Sequence, residues 1–353
     1  MPRVHRVEPT AAGWTRRRRG RGFGYADASG RPIDDVDALA RIRSLAIPPA
    51  WTDVWICPDP WGHIQATGLD AADRRQYLYH PRWREWRDRL KFRRMHDFAR
   101  VLPVVRETVA EHLELPGLPR EKALATAIRL LDRGYFRIGS ESYAEHNGSY
   151  GLATLRKEHV RIDEDGVRFA FPAKGGKRRV VLVRDRQIEP AVRELKARRS
   201  GGPELLAYRE GRAWRDVRSS DVNDYLKEAT GGRFTAKDFR TWHATVLAAV
   251  ALSARTDVGP SGSSRKRAMS SAIGEVAEFL GNTPTVCRRS YVDPRVLDRY
   301  FEGATIAPIL AALSSRGDDL IDPGVQSQIE EAVLDLVDGR IEPPTESAAL
   351  GAA

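Results

Sequence analysis

Only two cysteines, Cys57 and Cys287, stand in 353 residues. Two thiols so far apart build neither a disulfide framework nor a Cys-rich metal site. The eight histidines are scattered, and none pairs with another His or Cys at ligand spacing. No metal centre is therefore expected. No apolar run approaches the ~20 residues that a membrane helix needs. Arg, His and Glu interrupt the first residues, where a secretion signal would need an apolar core. The expected location is the cytoplasm, with no membrane partner. A Gly-rich Walker loop ending in Lys-Ser or Lys-Thr is also missing, which argues against chemistry driven by ATP. No internal repeat is visible.

What is abundant is positive charge. Lys and Arg number 58 against 48 Asp and Glu, a net +10. Such a balance favours polyanionic partners, nucleic acid first, although a chain that simply encodes Arg freely would look the same. Hydrophobic residues make up 41%, enough for an ordinary core. At ~150 residues per domain the length suggests two domains with tails.

Residues 1–21 are polar and contain the run Arg16 to Arg19, read as a basic flexible arm or a solvated lead-in. From 22 to 82, aromatic and β-branched residues alternate with Gly, Pro and Asp clusters, as in Val54-Trp55-Ile56-Cys57-Pro58-Asp59-Pro60. This predicts a small β-rich domain with one short helix over Val36–Ile42. From 83 to 340 the pattern is mainly helical. Trp86, Leu90, Phe98 and Leu102 recur at helical spacing, and Pro103 is expected to kink or end that helix. Another helix is expected over Glu121–Arg133, with Gly134 as its C-cap.

Residues 158–184 read as a three-stranded β-meander with turns at Asp165-Gly166 and Gly175-Gly176, Lys174 standing just before the second. Ser220 or Asp221 starts a helix that ends near Gly231. Thr235 to Asp238 resembles a capping box opening the helix that carries Arg240. Residues 256–267 are expected as a flexible basic loop. Thr283-Pro284 and Asp293-Pro294 are cap-plus-Pro starts that bracket a short helix holding Tyr291. Residues 341–353 are expected as a disordered tail. The fold class expected is α+β: a small β-rich N-terminal lobe and a mainly helical domain with the meander.

One chemistry suits a basic chain without a metal or a Walker loop. Cleaving a phosphodiester requires cationic or neutral donors on the non-bridging oxygens, and the planar guanidinium fits them best. It also requires an in-line nucleophile and an acid for the leaving oxygen. A covalent bond to the protein preserves the ester for rejoining, so ATP is not needed. Arg137, Lys174, Arg240, Asn282 and Tyr291, in that order, form a candidate set. Composition alone does not choose them, because most arginines here are surface residues and a lone Tyr is ordinarily just a helix residue.

Local context does choose them. Arg137 lies in Leu131-Asp132-Arg133-Gly134-Tyr135-Phe136-Arg137-Ile138-Gly139, followed by Tyr143 and by Gly151-Leu152-Ala153-Thr154-Leu155. Arg240 lies in Lys237-Asp238-Phe239-Arg240-Thr241, Asn282 in Leu280-Gly281-Asn282, and Tyr291 in Arg288-Arg289-Ser290-Tyr291. Further upstream stand Ile47-Pro48-Pro49-Ala50-Trp51, Gly62-His63-Ile64-Gln65-Ala66-Thr67-Gly68 and Gln76-Tyr77-Leu78-Tyr79-His80. Over roughly residues 22–302 the chain resembles the type IB DNA topoisomerases, in their short bacterial and poxvirus-like branch.

The resemblance implies a clamp of two lobes on duplex, supercoiled DNA, acting as a monomer in the nucleoid without ATP or metal. It implies Tyr291 as nucleophile forming a 3′-phosphotyrosyl link, Arg137 and Arg240 on the non-bridging oxygens, and Lys174 as general acid, with Lys177 as the nearest rival. It also implies DNA contacts from Arg75, Gln76, Tyr77, Tyr79, Tyr143 and Lys237. Two departures stand out. Asn282 occupies the place of a His in many relatives, and an amide donates a hydrogen bond without exchanging a proton. Asp73 stands where relatives often have Gly. His243, one turn past Arg240, is assigned a supporting role. The rivals are a tyrosine recombinase, which usually has a His where Lys237 stands, and a DNA-binding protein with a dead site.

Overall fold

The computed structural model describes residues 3–255, 261–316 and 322–343; the side chains of Ser142, Tyr143 and Pro323 fall outside the description. The chain divides into two compact units, Met1–Arg93 and Arg94–Ala353, a boundary inside a helix rather than at residue 82.

The first unit is an antiparallel sheet. Strands β1 (Trp14–Arg19), β2 (Gly22–Ala26), β3 (Thr52–Ile56), β4 (Ile64–Leu69) and β5 (Arg75–Tyr79) lie in the order β2-β1-β3-β4-β5. Helix α1 (Val36–Ser44) buries Ile42 against Val54, Ile56 and Ala66, with Trp14, Trp51 and Leu78 around them. The expectation of a flexible basic arm is corrected here, because Arg16 to Arg19 form β1. Antiparallel pairing with β2, from Thr15 opposite Ala26 to Arg19 opposite Gly22, satisfies the backbone. Arg16 turns inward: its guanidinium donates to the carbonyls of Pro48 at 3.1 Å and Trp51 at 2.6 Å and lies 4.1 Å from the centre of the Phe23 ring. Asp73 sits at φ 53°, in the left-handed region. Asp tolerates that conformation better than most residues, and a glycine would adopt it freely.

Helix α2 (Pro81–Leu113) continues past Pro103, so the proline does not end it. Pro103 faces solvent, while Ala99, Leu102, Val105 and Val109 are buried on the other side. Burial on both sides of the proline outweighs one lost backbone hydrogen bond.

In the second unit, helix α3 (Arg120–Gly134) is buried along nearly its whole length. Around it come α4 (Glu141–Asn147), the meander β6 (Val160–Asp163), β7 (Gly166–Pro172) and β8 (Arg178–Val183), helix α5 (Ile188–Ala197), the hairpin β9 (Ala207–Glu210) and β10 (Ala213–Asp216), and α6 (Ser219–Thr230). Val167, Phe169 and Phe171 of β7 are the inward set. Lys174 lies within the second turn rather than ahead of it, and Gly175 and Gly176 take φ 83° and 73°.

Six more helices follow among the described residues: α7 (Ala236–Ser253), α8 (Gly262–Phe279), α9 (Pro284–Ser290), α10 (Pro294–Glu302), α11 (Ala307–Ser315) and α12 (Pro323–Asp338). Of the basic loop expected at 256–267, residues 256–260 lie outside the described residues. The rest is the first turns of α8, capped by Ser261 Oγ accepting from the Ser264 N–H at 3.1 Å. Ala268, Met269, Ala272, Ile273 and Val276 form its buried stripe, which holds the polar start in helix. Residues 344–353 of the expected tail lie outside the described residues.

Candidate active site

Four of the five candidate residues meet in the second unit, and local backbone devices bring each one there. Arg137 is held by a close backbone crossing. The Leu152 and Ala153 N–H groups donate to the Arg137 and Ile138 carbonyls, both at 2.8 Å. A Cβ on Gly139 would lie 2.8 Å from the Gly151 Cα, and one on Gly151 would lie 2.9 Å from the Arg137 carbonyl oxygen. Only two glycines let these segments touch, which is the physical content of the Arg-Ile-Gly and Gly-Leu-Ala motifs.

The entry into Arg137 is unusual. Tyr135, not Gly134, takes the left-handed position that ends α3, at φ 53°. Gly134 is needed for space instead, since a Cβ there would strike the Phe136 ring at 2.2 Å. The Tyr135 ring is held edge-on by His243 at 4.8 Å and by Phe279 at 5.1 Å.

Asn282 follows a Schellman turn at the end of α8. Its N–H donates to the Ala277 carbonyl at 2.7 Å and the Gly281 N–H to that of Glu278 at 2.9 Å, with Gly281 at φ 65°. The turn presents three oxygens to three arginines. Arg137 Nη2 donates to the Gly281 carbonyl and to Asn282 Oδ1, both at 2.7 Å. Arg240 Nη2 donates to the Leu280 carbonyl. Arg179 donates to the same carbonyl at 3.3 Å and to that of Tyr135 at 3.2 Å. A guanidinium only donates, so the Asn282 amide must turn its oxygen to Arg137 and its NH2 away.

Arg240 rides on α7, whose start is fixed by Asp238 Oδ2 accepting from the Thr235 N–H at 2.8 Å. It is 7% exposed. Burial, then Arg137 and Arg179 nearby, push its guanidinium down to about 10, with Tyr291 opposing. Its Nε and Nη1, and Asn282 Nδ2, are buried with no hydrogen-bond partner among the described residues. Buried donors are nearly always satisfied, so three orphans in one place mark a site built for acceptors.

Tyr291 ends α9, and the Arg240 Cζ lies 5.3 Å from its ring centre. The fully buried Thr245 pins this corner. Its hydroxyl lies 2.9 Å from the Thr241 carbonyl oxygen and 3.2 Å from that of Tyr291, and accepts from the Asp293 N–H at 3.1 Å.

Lys174 is placed differently, at the exposed tip of the β7–β8 hairpin. Lys237 is exposed on the first turn of α7. Tyr143 lies on α4, its side chain outside the description. In the first unit, Tyr77 and Tyr79 are 42% and 39% exposed on β5 and stack at 6.0 Å. Arg75 pairs with Asp53 at 2.7 Å, and the half-buried Gln76 donates to Asp70 at 2.8 Å. Arg179 and Thr245 were not among the candidates. Neither carries a local signal, because their roles arise from contacts far apart in the chain. Among the described residues no group of three or more His, Cys, Asp or Glu stands together as a metal site, and no helix is long and apolar enough to cross a membrane.

A cluster of arginines beside a tyrosine, built on a helical core with a small meander, defines a class of proteins that act on phosphodiesters through tyrosine. Comparison narrows the class. Residues 80–303 match the catalytic core of eukaryotic DNA topoisomerase I, and residues 22–70 match the N-terminal domain of bacterial DNA topoisomerase IB. The chain belongs to the type IB DNA topoisomerase family. It is 30% identical over 269 residues to DNA topoisomerase 1B of Acanthamoeba polyphaga mimivirus, spanning 74% of this chain and 80% of that protein. It is 25% identical over 280 residues to DNA topoisomerase 1B of vaccinia virus (strain Copenhagen), spanning 75% and 82%.

Proposed function

We propose that the protein relaxes supercoiled duplex DNA as a monomer in the nucleoid, by transient cleavage of one strand through Tyr291. The Tyr291 oxygen attacks the phosphorus, a 3′-phosphotyrosyl bond forms and the bond to the 5′-oxygen breaks. The phenolic proton leaves to solvent, and Lys174 supplies a proton to the departing 5′-oxygen. Arg137 and Arg240 take the non-bridging oxygens, and Asn282 adds a neutral donor. The cut strand rotates, and the 5′-hydroxyl then reverses the attack. The phosphotyrosyl bond keeps the ester energy, so the cycle needs no ATP. Two guanidinium groups supply the charge that a metal ion would otherwise bring.

The observation that carries this reading is the set of buried donors without partners, Arg240 Nε and Nη1 and Asn282 Nδ2, beside the Tyr291 ring. The exposed Tyr77 and Tyr79 pair supports a DNA contact in the first unit. Arg75, Gln76, Lys237 and Tyr143 remain proposed contacts, the first two after leaving Asp53 and Asp70. Relaxation of supercoiled plasmid in EDTA without ATP tests the whole. Wild type should relax it, and Tyr291→Phe should bind DNA without relaxing it; relaxation by that variant would sink the assignment. For Lys174→Ala, a substrate with a 5′-bridging sulfur should restore cleavage, since that leaving group needs no proton. Failure of the rescue would remove the acid role.

A further inference from the structure

Behind the candidate site lies a second buried cluster that the mechanism does not use. Arg106 of α2 makes paired bonds to two carboxylates. It donates to Asp132 at 2.8 and 2.9 Å and to Glu330 at 2.8 and 2.9 Å. His243 Nε2 lies 3.2 Å from Asp132 Oδ1. Burial alone would raise the Asp132 carboxyl, but Arg106 and His243 outweigh it and hold the group well below the usual range. An ionised carboxylate only accepts, so His243 carries its hydrogen on Nε2. Gln326 of α12 completes the group by donating to Glu330 at 3.0 Å and accepting from Arg133.

Two members, Asp132 and His243, stand behind parts of the site, and the others hold them. Asp132 is on α3, five residues before Arg137. His243 is on α7, one turn past Arg240, and its ring supports the left-handed Tyr135. Tyr135 packs on Phe279, next to Leu280, whose carbonyl receives Arg240 and Arg179. Glu330 and Gln326 come from α12, beyond residue 303 where the family match ends.

We infer that Asp132, Arg106, His243 and Glu330 form a positioning frame that sets the separation of Arg137 and Arg240, and that the C-terminal helix α12 is its outer wall. This rests on the proposed strand-cleavage function. The physical ground is rigidity. A buried network in which Arg106, Asp132, Glu330 and His243 are all hydrogen-bonded has few low-energy geometries, and a site that must hold two guanidinium groups about one phosphate loses rate steeply when one is displaced. A frame made only for stability would not need to share helix α7 with Arg240, stand five residues before Arg137 and hold the Tyr135 ring that packs on Phe279.

Single-turnover cleavage of a nicked duplex by the full chain tests this, together with non-covalent DNA affinity in a Tyr291→Phe background and the melting temperature. Glu330→Gln keeps size and loses charge. It should slow cleavage about 10- to 100-fold, below the melting transition, with DNA affinity unchanged. His243→Ala should act in the same direction, and His243→Gln, which still offers an N–H, should recover part of the rate. A lowered melting temperature with the wild-type cleavage rate would overturn the inference, as would a loss of DNA affinity that accounts for the loss of rate. Should wild type form no covalent adduct, the function reading fails by itself. The frame is then judged by the Nε–H NMR resonances of Arg137 and Arg240 without DNA. A shift in Glu330→Gln supports it, and unmoved resonances overturn it.

Discussion

Two of the charged clusters buried in the second unit are finished to different degrees. Around Asp132 the two carboxylates have their partners: Arg106 makes paired bonds to both and His243 lies against Asp132, and the one orphan beside them among the described residues is the buried Nε of Arg133. Around Arg240 three guanidinium groups crowd one turn of backbone, and buried donors have no partner among the described residues. Both clusters cost desolvation. The first recovers it in the folded protein, whereas the second recovers it only when an anion arrives. The comparison separates charge used for shape from charge kept for a ligand, a distinction that exposure alone does not draw.

The largest effect should come from breaking the finished cluster. Arg106→Leu strands Asp132 and Glu330, at 2% and 7% exposure, without their cation. Removing one partner of a buried pair costs roughly 3–5 kcal/mol. Chemical denaturation should show a loss of at least that order. A change under about 1 kcal/mol would mean that the cluster relaxes into water and is not the finished core described.

The unfinished cluster should respond in the opposite sense. Arg240→Met removes two unpartnered donors and a guanidinium already pushed down to about 10. Without DNA the variant should be as stable as wild type or slightly more so, by up to ~1 kcal/mol, because the desolvation penalty leaves with the charge. Single-turnover cleavage should fall by roughly 10²- to 10³-fold, the usual cost of one preorganised donor. A variant that loses both stability and activity in proportion would erase the contrast between the clusters.

How much of this was legible in the sequence follows from range. Local devices were: the Thr235–Asp238 box, the Thr283-Pro284 and Asp293-Pro294 starts, the alternation of Val167, Phe169 and Phe171, and the glycines of the meander turn. The candidate set was legible only because its motifs resemble a family, since nothing in an isolated Arg240 tells it from the other arginines. What escaped was every feature made by distant partners. Arg106 and Glu330 are 224 positions apart, and no pattern near either names the other. Arg179 and Thr245 act through carbonyls supplied by other elements. Arg16 to Arg19 misled because a guanidinium can face inward when carbonyls receive it, so a basic strand looks like a basic arm. Tyr135 misled because packing, rather than glycine, holds its left-handed backbone.

A smaller effect, graded by pH, distinguishes the clusters without comparing their total stabilities. The Asp132 carboxyl is held below its ordinary value of 3.8 by Arg106 and His243, against the pull of burial. A depressed carboxyl stabilises the fold fully above the unfolded value, and that contribution is lost as pH falls from there toward the folded value. In that window the unfolded chain binds the extra proton, so this one group makes stability fall by up to ~1.4 kcal/mol for each pH unit below the unfolded value. Equilibrium unfolding of wild type should therefore steepen below about pH 4, the ordinary range for Asp. Asp132→Asn should start less stable and show a shallower acid slope by up to that amount, whereas Arg240→Met should keep the wild-type slope, since no carboxylate among the described residues partners Arg240. Equal slopes in wild type and Asp132→Asn would show that the carboxyl titrates normally, and the contrast between a finished and an unfinished cluster would then lose its electrostatic basis.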